Sequence, residues 1–414
     1  MNVINGVQLH CLHTTKFKDI GISIRFRNVL SDKTAAVRSL LALMFVDRCQ
    51  RYNTKQKMSI VQDELYGATL TTQTMGFGQS QLIEVRSKVI NPRYIKETNS
   101  LLQDMFSFLH EVLFAPLLTE EVFLENKEIL LSKIHRMEDD PAQYIIYEGL
   151  QRVAEDTPLS ISAIGTCEQV EKLTLADVKS AYQSLMEEDL IDIIVCGDVC
   201  EEEIVDAIRT WFPFKERFTT VPSFYTVQSK EALKRIQLTK HISQSYIMMI
   251  WFTNQNVMDK DYDALKVANG LFGQYSTSLL FQEVREKRSL CYSIYSNLIA
   301  YDGAMAVTTG VEKENIEEAI TLIQTQFQRM CALDFNDERL QTTKKMIINS
   351  LQANNDHMNA MMALSYRNIL LNQKDEIKDM IERIKHVTKE DIKRVMEACE
   401  YKLCLVLTKE NEDE

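Results

Sequence analysis

Residues 170–199 read VEKLTLADVKSAYQSLMEEDLIDIIVCGDV, and this stretch predicts the fold because its pattern recurs near the other end of the chain. Thr174 begins a Thr-x-x-Asp pattern, which is typical of a capped helix start, and a strand-like apolar run follows the helix. Residues 384–410 read IKHVTKEDIKRVMEACEYKLCLVLTKE, where Thr388 begins the same pattern. A capped helix followed by a strand therefore occurs twice, which predicts two related halves.

The segments upstream of these two stretches also correspond. Apolar, strand-like runs occur at residues 7–26 in the first half and at residues 245–252 in the second. Residues 65–89 and residues 290–313 each read as antiparallel strands around a turn, with an Asp-Gly turn in the second. A helical pattern follows each of these hairpins. Each half is therefore predicted to contain both strands and helices.

The predicted boundary between the halves lies in residues 214–229, a turn-prone stretch without apolar periodicity. The length of 414 residues agrees with more than one domain, because it exceeds what a single hydrophobic core usually organises. We predict an α+β chain of two homologous halves, residues 1–218 and residues 219–414. Each half is expected to have antiparallel sheets flanked by helices.

Composition and charge exclude several classes of function. The net charge of -12 leaves no basic surface for phosphates, which argues against nucleic acid as a partner. The longest apolar stretches are about half the length of a membrane span, so we predict no transmembrane segment. Nine cysteines are scattered without the spacing of a disulfide framework, and the N-terminus has no signal-peptide pattern. A reducing cytoplasm is the compartment that we predict.

Three segments carry a resemblance to a known family. They are EDDP at residues 138–141, GTCEQVEKL at residues 165–173 and FQEVREKRSLCYSIYS at residues 281–296. The chain resembles the insulinase/pitrilysin-type zinc peptidases of the smaller, two-half kind, and within them the metal-free bacterial YmfF-type branch. The resemblance implies the fold of the LuxS and processing-peptidase metalloenzymes. We call residues 281–296 the clamp segment, because its counterpart in the family holds the substrate.

The resemblance also implies a zinc site, which this sequence lacks. Active members carry His-x-x-Glu-His on a helix, where two histidines four residues apart chelate zinc and the glutamate activates water. The matching positions here run from Ala42 to Val46 and read ALMFV, and Lys133 stands near the position of a further carboxylate ligand. No histidine occurs in residues 14–109. We therefore predict no metal and no other cofactor in this chain.

The clamp segment, by contrast, retains the pair that the family uses to hold substrate. Arg285 and Tyr292 have the expected spacing of seven residues, and both side chains can donate to a peptide carbonyl or its developing oxyanion. Ser289 departs from the family, where a glycine is usual. On the residues alone, a plainer interpretation is a solvated charged helix end followed by a tyrosine in a half-buried strand. The resemblance favours substrate binding.

These observations predict a catalytically incomplete subunit of a heteromeric zinc peptidase. Its partner would be a related chain that bears His-x-x-Glu-His, and its ligand would be a peptide. A homodimer of the isolated chain remains an open alternative. A second hypothesis is a non-catalytic scaffold or peptide-binding subunit without a proteolytic role. A third is a metal-independent enzyme, for which the sequence offers no group of catalytic residues.

Overall fold

A computed structural model describes residues 2–95, 100–228 and 232–410 and divides the chain into two compact units. The first unit comprises Met1–His135, Ile161–Pro222 and Asn355–Asn372. The second comprises Arg136–Ser160, Ser223–Asn354 and Gln373–Glu414. The chain passes from the first unit to the second after Pro222, which lies in the predicted boundary stretch. Ser229, the last residue of that stretch, lies outside the described residues. The division of the sequence at residues 218 and 219 stays a prediction, since the units are defined by contacts.

The strands of the described residues are, in chain order, β1 (Asn2–Ile4), β2 (Val7–His13), β3 (Asp19–Val29), β4 (Thr69–Phe77), β5 (Ser80–Ile90), β6 (Leu190–Gly197), β7 (Lys234–Lys240), β8 (Ser245–Phe252), β9 (Ile294–Ile299), β10 (Ala304–Val311) and β11 (Glu400–Lys409). The α-helices are α1 (Ala35–Asp47), α2 (Lys55–Glu64), α3 (Leu101–Phe114), α4 (Glu120–Asp139), α5 (Pro141–Val153), α6 (Cys167–Lys172), α7 (Leu175–Glu188), α8 (Glu201–Trp211), α9 (Tyr262–Asn269), α10 (Ile316–Cys331), α11 (Asp337–Asn354), α12 (Met358–Leu370), α13 (Ile377–His386) and α14 (Lys389–Glu397). Two π-helical segments, Gly270–Gln274 and Phe281–Glu286, precede β9. None of the helices in the described part of the chain is long and apolar enough to cross a bilayer.

The two units have the same sheet topology. The order in the first sheet is β1-β2-β6-β3-β5-β4, and the order in the second is β7-β11-β8-β10-β9. Apart from the extra strand β1, the positions correspond one to one. β6 and β11 are the strands that follow the two capped helices of the repeated sequence pattern. β6 pairs in parallel with β2 and antiparallel with β3, and β11 pairs in parallel with β7 and antiparallel with β8. The pattern that repeats in the sequence therefore corresponds to a strand order that repeats in the two sheets.

One face of each sheet supports the main core of its unit. In the first unit, Phe26 of β3 stacks on Phe45 of α1 with ring centroids 6.3 Å apart. In the second unit, Trp251 of β8 stacks on Phe327 of α10 at 5.1 Å and meets the ring of Phe272 edge-on. The alternation of strand side chains directs these residues inward, as the apolar patterns predict.

The other face of each sheet is covered by a helix from the opposite half of the sequence. In the first unit α12 packs on β3, where a Cβ added to Gly21 would lie 2.5 Å from Sδ of Met358. In the second unit α5 packs on β8, where Ile145 and Met248 share a core cluster. The two halves thus exchange one helix each. The α+β prediction with helix-flanked sheets is confirmed.

Candidate functional site

Helix α1, which the structure describes throughout, carries the positions that match the zinc motif. Ala42 is buried and Val46 is half-buried, and neither side chain has an atom that can ligate zinc. Lys133 is exposed on α4. The alignment of these positions with the family motif stays a prediction. The residues present do not fit a zinc ion, because their side chains offer no carboxylate, imidazole or thiolate.

The whole of α1 bears only two ionisable side chains, Arg38 and Asp47, and both are engaged elsewhere. Arg38 forms a buried bidentate ion pair with Asp189, with nitrogen–oxygen distances of 2.7 and 3.0 Å. Asp47 accepts a hydrogen bond of 2.7 Å from Asn126. Asp47 lies nine positions after Arg38, so no other alignment along α1 would produce a pair of ligands one helical turn apart.

The clamp segment begins as a π-helix and ends as a strand. Arg285 lies near the end of the π-helical segment Phe281–Glu286, and β9 begins at Ile294. Between them, the N–H of Ser289 donates to the carbonyl of Arg285 at 3.0 Å. Ser289 has a φ of +54°, a left-handed backbone conformation that residues other than glycine rarely adopt. The turn therefore has the geometry that the family's usual glycine suits.

Arg285 and Tyr292 line one cavity of about 480 Å³ in the second unit. We call it the clamp cavity, and its lining comprises Gln244, Arg285, Glu286, Ser289, Leu290, Cys291, Tyr292, Gly310, Val311, Glu312 and Asn315. Tyr292 precedes β9 and is 89% exposed, so its interpretation as a half-buried strand residue is wrong. Arg285 is the cation among these described lining residues. The Arg285 and Tyr292 side chains both carry hydrogen-bond donors.

The Arg285 guanidinium is ordered by two neighbours within the clamp segment. Its Cζ lies 4.4 Å from the ring centroid of Phe281, and its Nη1 donates to Oε1 of Glu286 at 3.2 Å. A guanidinium has five N–H donors, so these contacts leave donors for a ligand. The side chain is 39% exposed. The sequence analysis identified Arg285 but missed Phe281, although a spacing of four residues along a helix is a signal that could have found this contact.

Cys291 bears on the hypothesis of a metal-independent peptidase. Its thiol lies in the clamp cavity, and burial raises its pKa, although Thr309 and Arg285 oppose that shift. The thiolate is the nucleophilic form, so a raised pKa leaves the thiol protonated at neutral pH. The cavity is therefore poorly suited to cysteine-based catalysis.

Comparison with known proteins shows which proteins this chain resembles. A family model described as "Peptidase M16 inactive domain" matches residues 172–347, which include the clamp segment. The "probable inactive metalloprotease YmfF" of Bacillus subtilis is 28% identical over 392 residues, covering 94% of this chain and 92% of that protein. Residues 172–347 therefore match the M16 model, and the predicted resemblance to the insulinase/pitrilysin-type peptidases and their YmfF-type branch agrees with these similarities.

Solved structures of similar proteins have the same fold. A conserved protein from Enterococcus faecalis matches with a TM-score of 0.94 and 27% identity, covering 100% of this chain and 99% of that chain. A structure described as a peptidase M16 inactive domain, from Pseudomonas fluorescens, matches with a TM-score of 0.80. Its identity is 16%, and the match covers 99% of this chain and 97% of that chain, which establishes a common fold.

Proposed function

We propose that this chain is the metal-free subunit of a heteromeric zinc peptidase, and that Arg285 and Tyr292 bind the peptide substrate. One observation carries the proposal. Both side chains line a single open cavity, while α1, described along its full length, has side chains that do not fit zinc. The chain retains the donors for a peptide, whereas α1 lacks the donors for the metal.

The chemistry assigned to the pair follows from its charges and hydrogen-bond donors. The Arg285 guanidinium is permanently charged, and the Tyr292 hydroxyl is a neutral donor. Both can donate to the carbonyl of the scissile peptide, and each bond strengthens as that oxygen acquires negative charge. The zinc ion and its activated water would come from the partner chain. This subunit would therefore contribute to transition-state stabilisation without binding a metal.

The partner that we propose is a related M16 chain that bears His-x-x-Glu-His, and the two form a heterodimer. We place this pairing in the cytoplasm, because all nine cysteines are free thiols. In the absence of the partner, the open alternative is a homodimer. Size-exclusion chromatography of the chain with and without its partner distinguishes these states.

The experiment that tests the proposal replaces each donor in the reconstituted pair. Arg285→Ala and Tyr292→Phe are each expected to lower kcat/KM for an internally quenched peptide by about a hundredfold, without weakening subunit association. Arg288→Ala and Tyr295→Phe are matched controls in the same segment, since neither residue belongs to the described lining of the clamp cavity. The controls are expected to leave the rate within twofold.

The scaffold hypothesis predicts a different result in the same experiment. A scaffold would support assembly and would tolerate Arg285→Ala and Tyr292→Phe without loss of rate. Unchanged rates in both variants, in a complex that forms normally, would therefore overturn the assignment of these residues. Robust zinc-dependent cleavage by the purified chain alone would overturn the metal-free assignment.

A further inference from the structure

We propose that Phe281 is a positioning residue that holds the guanidinium of Arg285 in place for the substrate carbonyl. This inference rests on the proposed function, because it assigns a residue to the same site. Phe281 is the first residue of the clamp segment but does not belong to the described lining of the clamp cavity. Its ring centroid lies 4.4 Å from Cζ of Arg285, well within the range of a cation–π contact.

The contact lies within a π-helical segment. Phe281 begins the segment and Arg285 is its second-last residue. The N–H of Lys287 donates to the carbonyl of Gln282 at 3.1 Å, which is the i to i+5 bond of a π-helix. Such turns are rare and occur frequently at functional sites. Phe281 and Arg285 are four residues apart, a spacing that brings side chains together on a helix, and Arg285 also lines the cavity.

The ring of Phe281 constrains Arg285 more than the neighbouring carboxylate does. Glu286 is half exposed, and an ion pair between solvated groups contributes little and is weakened by salt. The ring face, in contrast, restricts the plane of the guanidinium without using any of its N–H donors. Phe281 thus reduces the conformational freedom that Arg285 would lose on binding peptide.

The contact is measurable in the isolated chain, independently of any partner. The Nε–Hε resonance of Arg285, assigned by its loss in Arg285→Lys, is expected to show a ring-current shift in the wild type. Phe281→Leu should abolish that shift, and Phe281→Tyr should retain it. Phe335→Leu is the matched control, because the ring of Phe335 lies under Lys389 in the same unit, 5.6 Å from its Nζ. An Arg285 shift that persists in Phe281→Leu would overturn the stacking.

The reconstituted pair tests whether the contact matters for the reaction. Phe281→Leu is expected to lower kcat/KM by about two- to fivefold, the effect of an exposed cation–π contact. Phe281→Tyr should restore the wild-type rate. Phe281→Leu should cause no further loss when Arg285 is already alanine, because a positioning residue acts only through its arginine. Equal losses in both backgrounds would indicate a structural role and overturn the inference.

These outcomes separate this inference from the proposed function. If Arg285→Ala and Tyr292→Phe both leave the rate unchanged, the proposed function fails whatever the resonance of Arg285 shows. If Arg285→Ala lowers the rate but Phe281→Leu does not, the proposed function stands and the role of Phe281 is refuted.

Discussion

Ser289 is the residue at which the clamp turn is strained. Its φ of +54° costs a residue with a Cβ about 1 kcal/mol, and glycine avoids that cost. Ser289→Gly is therefore expected to raise the free energy of unfolding by about 0.5 to 1 kcal/mol, the loss of backbone entropy offsetting part of the gain. Ser289→Ala keeps the Cβ and is the control. Urea titrations in which both variants match the wild type would contradict this explanation.

Asp302 provides a pH-dependent prediction in the β9–β10 turn. It is 8% exposed, and burial raises its pKa to about 6, although a hydrogen bond with Tyr225 opposes that shift. Since the folded-state pKa exceeds the unfolded value of about 4, the folded state binds the proton more tightly. The stability contributed by protonated Asp302 is present below about pH 4 and is lost as the pH rises to about 6.

Asp302→Asn removes this titration and keeps the size of the side chain. The stability of the wild type relative to the variant is expected to fall between about pH 4 and pH 6, by about 3 kcal/mol if the full shift is realised. Urea unfolding at a series of pH values measures this difference. A difference between the two proteins that stays constant across that range would exclude Asp302 as the titrating group.

The individual residues also show how far a sequence pattern can identify a site. The family resemblance, and not the residues alone, selected Arg285 and Tyr292, and these two side chains line one cavity. The exposure of Tyr292 was not predictable, because it depends on β9 beginning two residues later. Phe281 was missed, although it lies four residues before Arg285, a spacing at which side chains on a helix contact each other.

Among the elements, α1 is held to its unit by a buried ion pair. Arg38 and Asp189 are both less than 6% exposed, and Arg38 also donates to Gln81 at 2.7 Å. Arg38→Met would leave the Asp189 carboxylate buried without its cation. We expect this change to lower the free energy of unfolding by about 3 to 5 kcal/mol, measured by urea unfolding at constant m-value.

The double variant Arg38→Met with Asp189→Leu is the control for that prediction. It removes both charges, so its loss of stability is expected to be smaller than that of Arg38→Met alone. A double variant that is less stable than Arg38→Met would show that the pair itself, rather than an uncompensated charge, dominates the effect. The attraction between Arg38 and Asp189 would then contribute more to the stability of α1 than the cost of burying their charges removes.

The helix starts that are set by residues close together in the sequence were the most predictable features. The capping boxes that begin α7 and α14 are present as predicted, with Thr174 paired to Asp177 and Thr388 paired to Asp391. Each box depends on residues only three positions apart. The parallel pairing of β2 with β6 joins residues 184 positions apart, as Val7 and Ile191 show. No local pattern specifies such a contact, and the prediction of antiparallel sheets did not include it.

At the scale of the whole molecule, the internal repeat predicted the architecture better than it predicted the contact units. The shared strand order shows that the two halves are variants of one topology. The exchange of α5 and α12 between the units was not predicted, because a repeat compares sequence segments and not their contacts. Their apolar faces are visible in the sequence, but the sheet that each one covers is not.

The central claim is that this chain supplies the hydrogen-bond donors that bind the substrate, while another chain holds the zinc ion. The most direct measurement is the initial rate of cleavage of an internally quenched peptide by a zinc-loaded His-x-x-Glu-His relative, titrated with this chain. The account predicts that the rate rises with added chain and saturates at one equivalent, while this chain alone cleaves nothing and carries no stoichiometric zinc. A rate that is independent of the added chain, despite formation of the complex, would contradict it.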